Sequence, residues 1–120
     1  MDIAKINLSE KLSRFSEHWS PKIVAALNGQ HVKLAKLEGE FTWHRHAGED
    51  ELFYVIKGRL RILLRDGEVD LGEGEMCVIP RGVEHKPVAD KEVHVLLLEP
   101  ASTVNTGDAR SERTVVPEWI

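Results

Sequence analysis

The chain has 120 residues, enough for one domain that buries its own core without disulfides or a structural metal. Its formal net charge is −4 and its Lys and Arg residues are dispersed, which excludes the clustered basic footprint of a nucleic-acid binder. Cys77 is the one cysteine, so an intramolecular disulfide and a cysteine-based zinc cluster are excluded as well. Set in MCVIP, it reads as a small buried core residue, and low cysteine usage fits a reducing compartment.

The first stretch, MDIAKINLSEKLSRF, scatters charges where a secretory signal needs a continuous apolar run. The longest apolar segment, VHVLLL from Val93, is strand-sized against the ~20 residues of a membrane span. No signal peptide and no membrane segment are expected, and the expected location is cytoplasmic. Leu8, Leu12, Phe15 and Trp19 fall at helical spacing. Asn7 is placed as a cap, Glu10 stands where a capping box needs it, and Pro21 marks the stop. One short helix in residues 1–21, packed on the body formed by residues 22–100, is predicted.

From Lys22 the punctuation changes. Asn28-Gly29 demands a tight hairpin between IVAAL and HVKLAKL. Further turn signals stand at Glu38-Gly39, Ala47-Gly48, Lys57-Gly58, Asp66-Gly67, Gly72 to Gly74, Pro80-Arg81-Gly82 and Ala89 to Lys91. They separate short segments rich in Val, Ile, Leu and aromatics, which predicts an all-β sandwich or barrel over residues 22–100. Arg59, Arg61 and Arg65 alternate along one of these segments and read as a solvated strand face. After Pro100 the composition turns polar, so residues 101–120 read as a surface arm whose Trp119-Ile120 end docks on the barrel or on a second subunit. No linker or internal repeat divides the chain, which reads as one domain.

The stretch TWHRHAGEDELFY carries the chemistry. On a strand, His44 and His46 project to one face with Thr42, while Phe41, Trp43 and Arg45 face the other way. Their side chains, about 6.6 Å apart along such a strand, can converge on one ion. After a turn at Ala47 to Asp50, Glu51 enters the strand ELFYVIK and comes back toward the same place. Far along the chain, in GEGEMCVIPRGVEH, a Pro80-Arg81-Gly82 turn leads directly to His85. A rigid turn suits a side chain that must be aimed.

These two segments resemble the two sequence motifs of the cupin superfamily. The first motif is matched by Gly39, His44, His46, Glu51 and Gly58, and the second by Gly74, Pro80, Gly82 and His85. The chain departs from the pattern in having four residues rather than five between Gly39 and His44, and Ala89 where Asn is common. The resemblance implies a double-stranded β-helix of the jelly-roll kind and assigns His44, His46, Glu51 and His85 as ligands of a divalent transition metal: Fe, Mn, Ni, Zn or Cu. The same spacing prefers Glu51 over Glu49 and Asp50, and it leaves out His18, His31 and His94, which lie in neither motif.

Four protein ligands leave positions for water, dioxygen or substrate in an octahedral shell, so Lewis-acid or redox chemistry is open to such an ion. Phe53 and Val55 share the inward face with Glu51, predicting a small apolar chamber for a small, partly apolar molecule. Leu52, Tyr54 and Ile56 on the opposite face need cover from the helix, the arm or a second copy, and a homodimer is predicted. The resemblance implies an oxygenase, isomerase or cyclase; the alternative is a non-catalytic cupin that binds a small ligand, or a barrel whose metal is structural. No dedicated general base stands out beyond the ligands, with Glu49 and Tyr54 as positional possibilities. A sugar-phosphate substrate fits poorly, because the arginines face outward.

Overall fold

Asn28 and Gly29 both take positive φ, 50° and 75°, as a tight primed hairpin turn requires. They join strand β1 (Lys22–Leu27) to β2 (Gln30–Glu40) in antiparallel register, Leu27 opposite Gln30. A computed structural model of the chain describes residues 3–120. Six more strands complete the order: β3 (Glu51–Lys57), β4 (Leu60–Leu64), β5 (Gly67–Leu71), β6 (Met76–Ile79), β7 (His85–Pro100) and β8 (Glu118–Trp119).

β2 and β7 form the spine, paired from Gln30 opposite Pro100 to Glu40 opposite Val88. The turns expected at Glu38-Gly39 and at Ala89 to Lys91 are absent, because both strands run through them. The register shifts between Leu37 and Gly39 instead. Such a bulge bends a strand without ending it. The bend lets β7 serve two partner strands: its first residues pair with β4, and its later ones with β3. β5 extends the β4 side and β6 the β3 side. Between the two lies a core that includes Ala35, Leu37, Phe53, Val55, Ile62 and Val95. Each large apolar side chain there contributes about 1.5–3 kcal/mol of burial. The architecture is the expected all-β jelly-roll barrel with one short helix.

That helix, α1 (Leu8–Leu12), starts where the sequence places it, with the Asn7 side chain accepting from Glu10 N at 3.0 Å. It ends earlier than the apolar spacing suggests. Trp19 N donates to Lys36 O at 2.9 Å, and His18 makes a bridge to Lys36, so the chain after the helix is drawn out along β2. Leu12 and Phe15 still pack on Val24 and Leu34 outside the barrel. Trp19 goes elsewhere, to the barrel mouth. At the other end, β8 pairs in parallel with β1, and Ile120 N donates to Ile23 O at 3.0 Å, so the arm's end docks on the barrel of its own chain. No helix among the described residues is long and apolar enough to cross a membrane.

Candidate metal centre

Beyond Glu40 the chain keeps running beside the start of β7 but is not a regular strand. Phe41 N donates to Pro87 O at 3.0 Å, and His44 forms an isolated bridge with His85. Without a continuous ladder, strict alternation of side chains is not enforced. His44 and His46 still converge, with ring centroids 5.0 Å apart. Phe41, expected to face away from them, lines the same cleft and stacks on Trp19 with centroids 4.7 Å apart.

The second segment is stapled to the first. Gly82, at φ 81°, completes the turn that Pro80 begins, and it donates its N–H to His46 O at 2.8 Å. Arg81 N bonds Asp50 Oδ1 at 2.8 Å. These bonds hold the turn before His85 against the loop that carries His46. Glu51 opens β3, opposite Ile79 at the end of β6.

The donor atoms of His44, His46, Glu51 and His85 all lie within 4.8 Å of one another, and all four residues are buried. His44 Nδ1 lies 2.9 Å from Thr42 O, and His85 Nδ1 lies 3.0 Å from Val83 O. A carbonyl oxygen accepts only, so each Nδ1 carries the proton and each Nε2 keeps its lone pair for the centre. The Glu51 carboxylate is reached by His85 Nε2 at 3.3 Å and by His46 Nε2 at 3.5 Å. Both ring nitrogens of His46 are buried without a hydrogen-bond partner among the described residues. Buried polar atoms are normally paired. An orphaned imidazole inside a cluster of N and O donors fits a divalent transition metal.

The electrostatics agree. Burial, helped by His85, pushes His44 down to about 4, so it is a neutral imidazole at neutral pH. Burial alone would raise the Glu51 carboxyl; the neighbouring Glu99 carboxyl and the His46 and His85 rings beside it hold it well below the usual range. Burial and the Glu51 charge push Glu99 well above that range. The pair therefore presents a carboxylate at Glu51.

The residues left out by motif are engaged elsewhere. Asp50 is held by Arg81, and Glu49 accepts from Ser102 Oγ at 2.9 Å. His18 and His94 both meet Glu92, at 2.8 and 3.1 Å, and His31 packs edge-on against Trp119. Arg59 and Arg45 point outward to Asp70 and Asp108. Tyr54 is opposite Met76 on the outer face of β3 and does not reach the site.

The cluster opens on a small cleft of about 40 Å³, walled by Trp19, Phe41, Phe53 and Leu97 beside His44 and Glu51. Glu99 also lines it, and sequence reasoning missed this residue together with Lys33, its partner at 2.9 Å. The signal is present in the period-two pattern. Lys33, Ala35 and Leu37 alternate inward, as do Val93, Val95, Leu97 and Glu99, which puts a charge of each sign on buried faces.

The family model described as Cupin domain matches residues 30–99. A crystal structure of a cupin-2 domain containing protein from Shewanella frigidimarina is 50% identical, covering 79% of this chain and 93% of that one, with a TM-score of 0.78. YdbB, an uncharacterized protein of Bacillus subtilis, is 35% identical over 80 residues, 66% of this chain. SSO1533 of Saccharolobus solfataricus, whose name proposes a dioxygenase, is 26% identical over 107 residues, 87% of this chain. The chain spans 65% and 28% of the lengths of these last two relatives. With the matching model covering more than half of its residues, and with the barrel and the clustered motif residues in place, the chain belongs to the cupin domain family.

Proposed function

We propose that the chain binds one divalent transition metal through Nε2 of His44, His46 and His85 and a carboxylate oxygen of Glu51, and that it acts as an oxygenase on a small, partly apolar molecule in the adjoining cleft. The observation that carries the metal assignment is His46, whose two ring nitrogens are buried and unpartnered beside three other donors. Borderline N and O donors suit Fe, Mn, Ni, Zn or Cu. When bound, the ion supplies Lewis acidity or redox chemistry at positions the protein leaves open.

The chain's own residues do the rest. The Thr42 and Val83 carbonyls orient two imidazoles, and Trp19, Phe41 and Phe53 shield the reacting side from water and favour an apolar body. The cleft walls carry no Lys or Arg, which disfavours a phosphorylated substrate. The name of SSO1533 supports oxygenase over isomerase or cyclase. Oxygen uptake by metal-loaded protein, screened against a small-molecule library, tests the reading. Uptake with at least one member, lost in a folded Glu51→Ala variant, is expected. No uptake by protein verified to be metal-loaded would favour a ligand-binding module instead.

A homodimer is part of this proposal. Leu52 lies opposite Val78 and Tyr54 opposite Met76, so all four share one face of the sheet. Met76 and Val78 are 57% and 51% exposed at the edge strand β6. A second copy laid on this face covers an apolar patch that α1 does not reach. Low cysteine usage supports a reducing compartment, the cytoplasm.

A further inference from the structure

The cleft beside His44 and Glu51 has a buried inner wall and a narrow rim. Of its lining residues only Trp19, Phe41 and Asn105 are half-buried; the others, among them Phe53, Pro87 and Leu97, are buried. Those three therefore border the mouth. Both ends of the Asn105 amide are engaged within the C-terminal arm, Nδ2 donating to Arg113 O at 2.9 Å and Oδ1 accepting from Val115 N at 3.1 Å. Phe41 is fixed by its N–H bond to Pro87 O and meets the His44 ring edge-on, centroids 5.4 Å apart. Trp19 lies flat on Phe41, with 14° between the ring planes. Its φ is 59°, a left-handed backbone that glycine tolerates and a bulky side chain disfavours. Two bonds to β2 hold it there, Trp19 N to Lys36 O and Nε1 to Glu38 O, both at 2.9 Å. Strain maintained by such anchors at the mouth of a site points to a role in that site.

We propose that Trp19, stacked on Phe41, is the specificity-determining residue of the cleft: its indole closes the mouth and limits what reaches the centre to small aliphatic molecules, excluding those that carry an aromatic ring. This rests on the metal reading above. The room beside the donors is about 40 Å³, that of roughly three waters. A ring placed against the donors has to displace the indole, and with it the bond to Glu38 O. A packing role alone predicts something different: changing Trp19 would alter stability and leave the size preference for ligands as it was.

Acetohydroxamate and benzohydroxamate carry the same chelating group and differ only in methyl against phenyl. Their dissociation constants from Co(II)-loaded protein, read by visible absorption, therefore isolate ligand size. Wild type should bind benzohydroxamate at least about tenfold more weakly than acetohydroxamate. Trp19→Gly removes the indole and suits the left-handed backbone, and it should lower the ratio of the benzohydroxamate constant to the acetohydroxamate constant by at least about tenfold. Benzohydroxamate bound by wild type as tightly as acetohydroxamate, or more tightly, overturns the inference while the metal reading stands, and so does an unchanged ratio in Trp19→Gly. If Trp19→Gly fails to fold, Trp19→Leu, which keeps apolar packing with a smaller side chain, decides in the same way: an unchanged ratio refutes the closure by Trp19. Wild type that takes up no Co(II) sinks both readings together.

Discussion

His44 and His85 exchange both of their backbone hydrogen bonds, at 3.1 and 2.9 Å, and this one bridge sets their imidazole centroids 4.3 Å apart. Two proposed ligands far apart in sequence are thus placed by backbone geometry rather than by flexible side chains. The same bridge lies beside the pairing of His85 with Leu64 of β4, so His85 is flanked by chain on both sides. Preorganisation of this kind lowers the ordering cost of binding an ion.

Burial of His44 has a pH consequence. In metal-free protein its imidazole should titrate near about 4, below the ordinary value of 6.5. As pH falls from about 6.5 toward about 4, the unfolded chain takes up a proton that folded His44 refuses, so this residue's contribution to stability is lost in that window. Relative to His44→Gln, wild type should lose up to about 3 kcal/mol across it. Histidine NMR titration and urea unfolding at several pH values check this. A His44 midpoint near 6.5 would contradict it.

The Lys33–Glu99 pair should show strong coupling in stability. Lys33→Met alone leaves a buried carboxyl without its counter-charge and should cost about 3–5 kcal/mol. Adding Glu99→Leu should recover most of that loss. Urea midpoints of both singles and the double form the cycle, and additive losses would show that the pair is not a unit.

Gly107 clips the C-terminal arm over the site. Its φ is +54°, and a Cβ there would overlap the Arg45 carbonyl oxygen and stand 3.2 Å from His46 Nδ1. Asp108 N bonds that same carbonyl at 3.1 Å. Gly107→Ala should therefore cost about 2–3 kcal/mol, combining left-handed backbone strain with displacement of the arm. Unchanged unfolding free energy, with unchanged resistance to proteolysis after Pro100, would refute the clip.

Much of the fold and the site was legible in the sequence, and the exceptions share a cause. The hairpin at Asn28-Gly29, the helix cap at Asn7 and the convergence of His44, His46, Glu51 and His85 come from local rules or from motif spacing. What failed were inferences about where local signals stop acting. Gly39 looked like a turn and stays within β2, because β7 pairs on both sides of it and takes up the register shift with its own extra residues. Trp19 looked helical and is not, because Lys36 draws the chain onto β2. Phe41 joined the cleft because its segment lacks a ladder. Glu99 was hidden for another reason: a charged residue that continues an apolar alternation is easily taken for a strand end, and its buried partner Lys33 lies on a different strand.

The apolar face around Leu52, Tyr54, Met76 and Val78 should make the protein a dimer. Light scattering at micromolar concentration should give twice the chain mass, and Val78→Lys should shift it toward monomer. A monomeric wild type contradicts the proposal.

The central claim is that the three imidazoles and Glu51 hold an ion. Elemental analysis of protein purified without an affinity tag measures this directly, with His44→Ala and His85→Ala alongside. Wild type should carry about one transition-metal ion per chain, and each variant at least about tenfold less, since removing a direct ligand costs at least as much as removing an outer partner. Wild type and folded variants holding equally little metal would contradict the account.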